Sequence, residues 1–134
     1  MGGRSAFGRP ANRVDLASAV LEGLPAESCA ALTKRLHLSR AESATVLGVS
    51  VRTLDRLTGG GKRLSVTSSD RLARVARIYV RATEVLESEA NAAAWLREPN
   101  KYLDGESPLD ALATDYGTTR VTDMLDRMEY GVYA

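Results

Sequence analysis

No apolar run in the 134-residue chain approaches the roughly twenty residues that cross a bilayer, and Met1-Gly2-Gly3-Arg4-Ser5-Ala6 lacks the apolar core of a secretory leader. The expectation is a cytoplasmic protein with no membrane partner. Cysteine occurs once, at Cys29, which excludes an intramolecular disulfide and reads as a small buried side chain in an Ala-rich helix. Histidine also occurs once, at His37. No group of His, Cys and carboxylates therefore has metal-ligand spacing, and Cys–His catalysis finds no support. Gly59-Gly60-Gly61-Lys62 lacks the preceding strand, the first-glycine spacing and the Ser/Thr after the lysine that a phosphate loop requires. The chain thus reads as a non-enzyme without catalytic residues, metal or cofactor. Strand-length alternation and internal repeats are missing too, so the expected fold is all-α.

What is present is an ordinary globular composition, 44% hydrophobic and 26% charged, far from the signature of disorder. At roughly 100 to 200 residues per domain, this length holds one compact domain or two small ones. The formal net charge of +1 conceals an asymmetry: residues 1–67 carry +5 and residues 68–134 carry −4. A basic half suits the phosphate backbone of a nucleic acid, whereas an acidic half is repelled by it and suits a protein surface. An unevenly charged solvated surface is the plainer alternative.

Residues 1–12, rich in Gly and Arg, read as a flexible arm. Val14, Ala17, Val20, Leu21 and Leu24 then recur at helical spacing, and the pattern stops at Gly23 and Pro25. Cys29, Leu32 and Leu36 form the stripe of a second helix. Ser39-Arg40-Ala41-Glu42 has the form of a capping box and opens a short third helix that Gly48 ends. Ser50 caps a fourth, from Val51 to about Thr58. The longest helix runs from about Thr67 to Glu87 on a stripe of Leu72, Val75, Ala76, Tyr79, Thr83 and Leu86. Arg71, Arg74, Arg77 and Arg81 recur on another face, read as solvated surface. A helix over Glu89–Arg97 holds Trp95, read as a core or interface anchor, and ends at Pro99-Asn100. Ser107-Pro108 starts another that reaches about Thr114, with a break at Tyr116-Gly117. The last begins at Thr118 or Thr119, buries Val121, Leu125 and Met128, and leads into Tyr130-Gly131-Val132-Tyr133-Ala134. The acidic Asp104, Glu106 and Asp110 read as surface.

Arg40 to Thr58 is the most specific local feature. Small Ala44 permits close helix approach, Gly48 makes the turn, and Val49, Leu54 and Leu57 hold a second helix across the first. Such a helix can enter a major groove. Ser50, Val51, Arg52, Thr53 and Arg56 lie at its start or exposed face, where hydroxyl and guanidinium groups reach phosphates or base edges and Val51 meets a thymine methyl; Lys62 and Arg63 add basic charge beside it. A plain helical hairpin is the alternative.

Residues 40–58 resemble an Xre-like helix-turn-helix. Ala94-Trp95-Leu96, Pro99-Asn100, Leu103, Gly105, Ser107-Pro108-Leu109-Asp110, Leu112, Gly117 and Glu129-Tyr130-Gly131-Val132-Tyr133-Ala134 resemble the C-terminal domain of Xre/MbcA/ParS-type antitoxins. The resemblance implies an N-terminal helix-turn-helix domain over residues 13–66, then a connecting helix and toxin-binding domain over 67–134. It implies as partner a co-encoded RES-domain toxin acting on NAD, inhibited by occlusion, with Trp95, Asn100, Tyr130, Gly131, Val132, Tyr133 and Ala134 as contacts. The tail makes physical sense in that role: aromatic anchors, a flexible glycine and a carboxylate suit a pocket that holds an anionic aromatic ligand. Tyr130 and Val132 packing back on the last helix is the other reading. Operator DNA is the second expected partner, read by a homodimer on two half-sites within a larger toxin–antitoxin complex. A DNA-binding regulator whose C-terminal domain only dimerises, and a helical scaffold without DNA, are the competing functions.

Overall fold

The computed structural model describes residues 19–20, 22–59 and 61–131. The expected arm at 1–12, most of the helix expected from Val14, and the tail residues Val132, Tyr133 and Ala134 lie outside them. Among the described residues the structure bounds seven α-helices: α1 (Ala26–Leu36), α2 (Arg40–Leu47), α3 (Val51–Leu57), α4 (Val66–Leu86), α5 (Glu89–Arg97), α6 (Pro108–Ala111) and α7 (Asp115–Glu129), with a 3-10 turn at Lys101–Leu103. Their only β feature is an isolated antiparallel bridge between Pro25 and Arg63. The chain is all-α, as its periodicity predicts. It forms two compact units that divide between Ala76 and Arg77, so α4 supplies residues to both.

In the first unit the core is Leu24, Leu32, Leu36, Leu47, Leu54, Leu64 and Leu72, each under a tenth exposed. Burying such a side chain contributes about 1.5–3 kcal/mol, so these leucines are the main source of cohesion. Small hydroxyls complete the packing. Ser69 Oγ accepts the Leu24 N–H at 2.8 Å, Ser68 Oγ donates to the Leu47 carbonyl at 2.8 Å, and Ser43 pairs with Thr33 at 2.7 Å. Each satisfies a polar group that burial would otherwise penalise. Cys29 is buried as expected, and it lines an apolar groove of about 260 Å³ with Leu38, Leu54, Leu57 and Leu64. Burial pushes its thiol pKa upward against a weaker opposing hydrogen bond to Thr33. The reactive thiolate is therefore scarcer than in a free cysteine. Iodoacetamide at pH 8 is expected to alkylate Cys29 at least tenfold more slowly in the native protein than in urea; equal rates by mass spectrometry would refute this.

In the second unit Ile78, Tyr79 and Ala82 of α4, Ala92, Ala93 and Leu96 of α5, Leu103, Leu109, Ala111 and Leu112, and Val121, Met124 and Leu125 of α7 are buried. Helix α4 buries a wider stripe than one seam of Leu72, Val75, Ala76, Tyr79, Thr83 and Leu86: Ala73, Ile78 and Ala82 are also buried, and Thr83 and Leu86 are half-buried. Two expectations need correction at the C-terminal end. Helix α6 stops at Ala111 rather than near Thr114, and Gly117 is no break, since it lies in the first turn of α7. Thr114 is the N-cap, its hydroxyl accepting the Gly117 N–H at 3.0 Å. The reason for glycine is packing: a Cβ at 117 would stand 1.9 Å from the Ala111 carbonyl oxygen. At the other end of α7, Met124 is buried and Met128 only half-buried.

Candidate functional site

The helix-turn-helix geometry follows from its caps. Ser39 Oγ accepts the Glu42 N–H at 3.1 Å, and the Glu42 carboxylate accepts the Ser39 N–H at 2.8 Å, closing the capping box. Gly48 ends α2 in the left-handed region at φ 72°, which disfavours residues with a Cβ. The Arg71 side chain lies over it, 3.0 Å from where a Cβ would be. Helices α2 and α3 pack directly on each other, and Arg40 ties them further through a bidentate pair with Asp55.

The seven residues expected to face DNA separate into three groups. Ser50 and Thr53 hold the start of α3: Ser50 Oγ accepts the Thr53 N–H at 3.1 Å and donates to Thr53 Oγ1 at 3.0 Å. Lys62 donates to the Arg56 carbonyl at 2.7 Å, covering the C-terminal end of α3. Arg63 donates to the Gly23 carbonyl at 2.7 Å beside the bridge to Pro25. These four polar side chains shape the motif. Val51 is half-buried. Arg52 and Arg56 are exposed and make no side-chain hydrogen bond or ion pair with another described residue. They are the guanidinium groups of α3 available to an anionic partner.

In the second unit Asn100 organises a loop. Its side chain accepts the Tyr102 N–H at 2.9 Å, its carbonyl accepts the N–H groups of Leu103 and Gly105 at 3.0 Å, and its own N–H donates to the Glu106 carbonyl at 3.0 Å. Expected as a contact residue, Asn100 is the keystone of the turn that presents Tyr102. Trp95 is half-buried on α5. Tyr130 caps α7 and is 78% exposed, so it does not pack back on the helix; Gly131 follows at φ 74°.

Three side chains escaped sequence reasoning. Tyr102 and Tyr116 are exposed, and Arg120 links their surroundings: it donates to the Tyr102 carbonyl, pairs with Asp104 at 3.3 Å and lies 5.8 Å from the Tyr116 ring centre. Sequence spacing signals only the Tyr116–Arg120 pair, four residues apart on α7, and folding alone brings the Tyr102–Asp104 loop to it. The reading of the four α4 arginines as solvated surface also needs correction. Arg77 is exposed, but Arg71 covers Gly48, Arg74 lies 3.5 Å from Asp70, and Arg81 binds both Asp126 and Glu129. No group of three or more His, Cys, Asp or Glu among the described residues is arranged to hold a metal, and no described helix is long and apolar enough to cross a membrane.

Comparison with known proteins places these two regions. Residues 15–77 match the Antitoxin Xre-like helix-turn-helix domain, and residues 81–131 match the Antitoxin Xre/MbcA/ParS C-terminal toxin-binding domain. An Antitoxin Xre of Pseudomonas putida is 31% identical across 90% of this chain and 75% of its own length. Another from Yersinia enterocolitica is 27% identical across 96% and 88%. The Prs ADP-ribosylating antitoxin of a Sphingobium species is 23% identical across 92% and 84%. A chain in the crystal structure of the M. tuberculosis MbcT–MbcA toxin–antitoxin complex superposes with a TM-score of 0.58 at 28% identity, covering 81% of this chain and 96% of that one.

Proposed function

The chain belongs to the Xre/MbcA/ParS antitoxins, and from that premise we propose that it neutralises a co-encoded RES-domain toxin by occluding its NAD site with the segment after α7, and represses its own operon as a homodimer on operator DNA. The observation that carries the first half is Tyr130. It stands 78% exposed where the toxin-binding domain ends, and the chain beyond it continues with Gly131-Val132-Tyr133-Ala134. An aromatic side chain held out into solvent at a helix end is an anchor awaiting a pocket. The acidic half of the chain repels a nucleic acid and leaves this end to a protein partner.

The second half rests on α3. A helix of seven residues makes few base contacts, so two copies on half-sites about one helical turn apart supply the affinity that one lacks. Arg52 and Arg56 are its readers, and the other polar residues hold it in position. Co-expression with the RES-type protein encoded beside this chain is the test, with growth and NAD content as readouts and an operator gel shift in parallel. The native chain is expected to restore growth and shift the operator. The Arg52→Ala/Arg56→Ala variant is expected to restore growth equally and to bind the operator at least tenfold more weakly, since one guanine-edge contact is worth about 1–3 kcal/mol. Failure of the native chain to protect the cell would remove the toxin reading; unchanged operator affinity of the variant would remove α3 as the reading helix.

A further inference from the structure

Helix α7 ends against its own dipole. A helix C-terminus carries partial negative charge and favours cations, yet the last turns of α7 hold Asp126 and Glu129 against the single cation Arg127. Left to local interactions, these carboxylates weaken the end of the helix from which the tail departs. The structure supplies the missing charge from elsewhere in the second unit. Arg81 of α4 donates through Nη2 to Asp126 Oδ1 at 3.1 Å and to Glu129 Oε1 at 2.6 Å, with Glu84 3.8 Å from its Nη1. Its side chain is 27% exposed, against 49% and 45% for the two carboxylates, so the guanidinium is the shielded member of the triad. Hydrogen bonds to Glu129 and Asp126 raise the Arg81 pKa, and the bond from Arg81 lowers that of Glu129.

Asp126 and Glu129 are three residues apart, on one face of α7, and Glu129 is its last residue. Tyr130 follows as the C-cap, with its N–H on the Asp126 carbonyl at 3.2 Å, and Gly131 donates to the Met128 carbonyl at 3.2 Å. Whatever holds Asp126 and Glu129 thus sets the direction in which the chain leaves the helix. We propose that Arg81 is a positioning residue for toxin neutralisation: by clamping Asp126 and Glu129 it fixes the last turn of α7 and aims the segment from Tyr130 at the toxin pocket. The proposal rests on the tail-occlusion reading above. Arg81 touches neither the toxin nor the tail beyond Glu129 in this role. It acts by preorganisation, since a segment whose first residues are already aimed loses less conformational freedom on docking than one whose root is frayed.

The experiment measures the dissociation constant of the full chain for the RES-type toxin encoded beside it, with a thermal melt of every variant. Arg81→Ala is expected to weaken binding about tenfold, the scale of ordering one or two additional residues at the interface, with circular dichroism unchanged. Arg81→Glu combined with Asp126→Arg and Glu129→Arg restores the clamp with reversed polarity and is expected to recover most of that loss. A purely structural arginine would instead lower the melting temperature in step with affinity, and the reversed clamp would restore both together. In a chain lacking Tyr133 and Ala134, Arg81→Ala is expected to cost little more, because the two changes act through one element. Unchanged binding by Arg81→Ala, or an equal loss with and without the tail, would overturn the proposal. Undiminished binding by the tail-deleted chain alone is a different result: it removes the tail reading, and any effect of Arg81 then belongs to the helix face.

Discussion

Deletion of Tyr133 and Ala134, or Tyr133→Asp, is expected to release toxin activity while helix content and operator binding stay close to native. The cores described above are made of Leu96, Leu103, Val121, Leu125 and their neighbours, none of which lies beyond α7, so the deletion removes none of these side chains. An interface is less forgiving. A buried aromatic anchor at its centre carries about 2 kcal/mol or more, which corresponds to roughly thirtyfold in affinity. Aspartate at the same place adds the cost of burying an unpaired carboxylate. NAD at high concentration is also expected to compete with the tail, weakly, because the rest of the toxin-binding domain keeps the two proteins together. The measurement is NAD consumption by the toxin with each antitoxin variant, alongside circular dichroism and an operator gel shift. Complete inhibition by the folded, truncated chain would falsify tail occlusion. The inhibitory surface would then lie nearer Trp95 and the Asn100 loop, where Tyr102 is half exposed.

Gly117→Ala is expected to do the greatest structural damage of any single methyl added to the second unit. The new Cβ would stand 1.9 Å from the Ala111 carbonyl oxygen, 2.8 Å from its carbon and 3.2 Å from its Cα. All three are backbone atoms at the end of α6, which packs directly on α7, so no rotamer change relieves the clash. The helices must separate, at a cost at the top of the overpacking range, about 3 kcal/mol or more. For a domain of this size that lowers the melting temperature by roughly 10 °C or more. Gly105→Ala is the control. Unlike the helical Gly117 it requires a positive φ, 87°, but no atom lies within 4 Å of its added Cβ, so its cost is confined to the backbone strain of about 1–2 kcal/mol. Similar melting temperatures for the two variants would show that the α6–α7 approach is not a tight one. Toxin inhibition is expected to fall with Gly117→Ala, since α7 carries Tyr130 at its end.

Much of this protein is written in short-range pattern. The capping box at Ser39 and Glu42, the left-handed glycine at 48, the Ser50 cap and the proline after Ser107 are all decided within four residues, because a helix end is satisfied by its nearest side chains. The all-α class and the Cys29, Leu32, Leu36 stripe follow from periodicity in the same way. The role of Gly117 was not legible, since a glycine in a helix's first turn and a glycine between helices look alike until the Ala111 carbonyl is in place. Nor was the division among the basic residues. Arg52 and Lys62 are equivalent as charges in the sequence and both are exposed, and only the fold gives Lys62 a hydrogen bond to the end of α3. Asp126 and Glu129 show the limit most directly. By local rules they oppose the helix they end, and their partner lies 45 and 48 residues earlier. A conflict within a few residues was resolved by a contact that exists only once α4 and α7 have met.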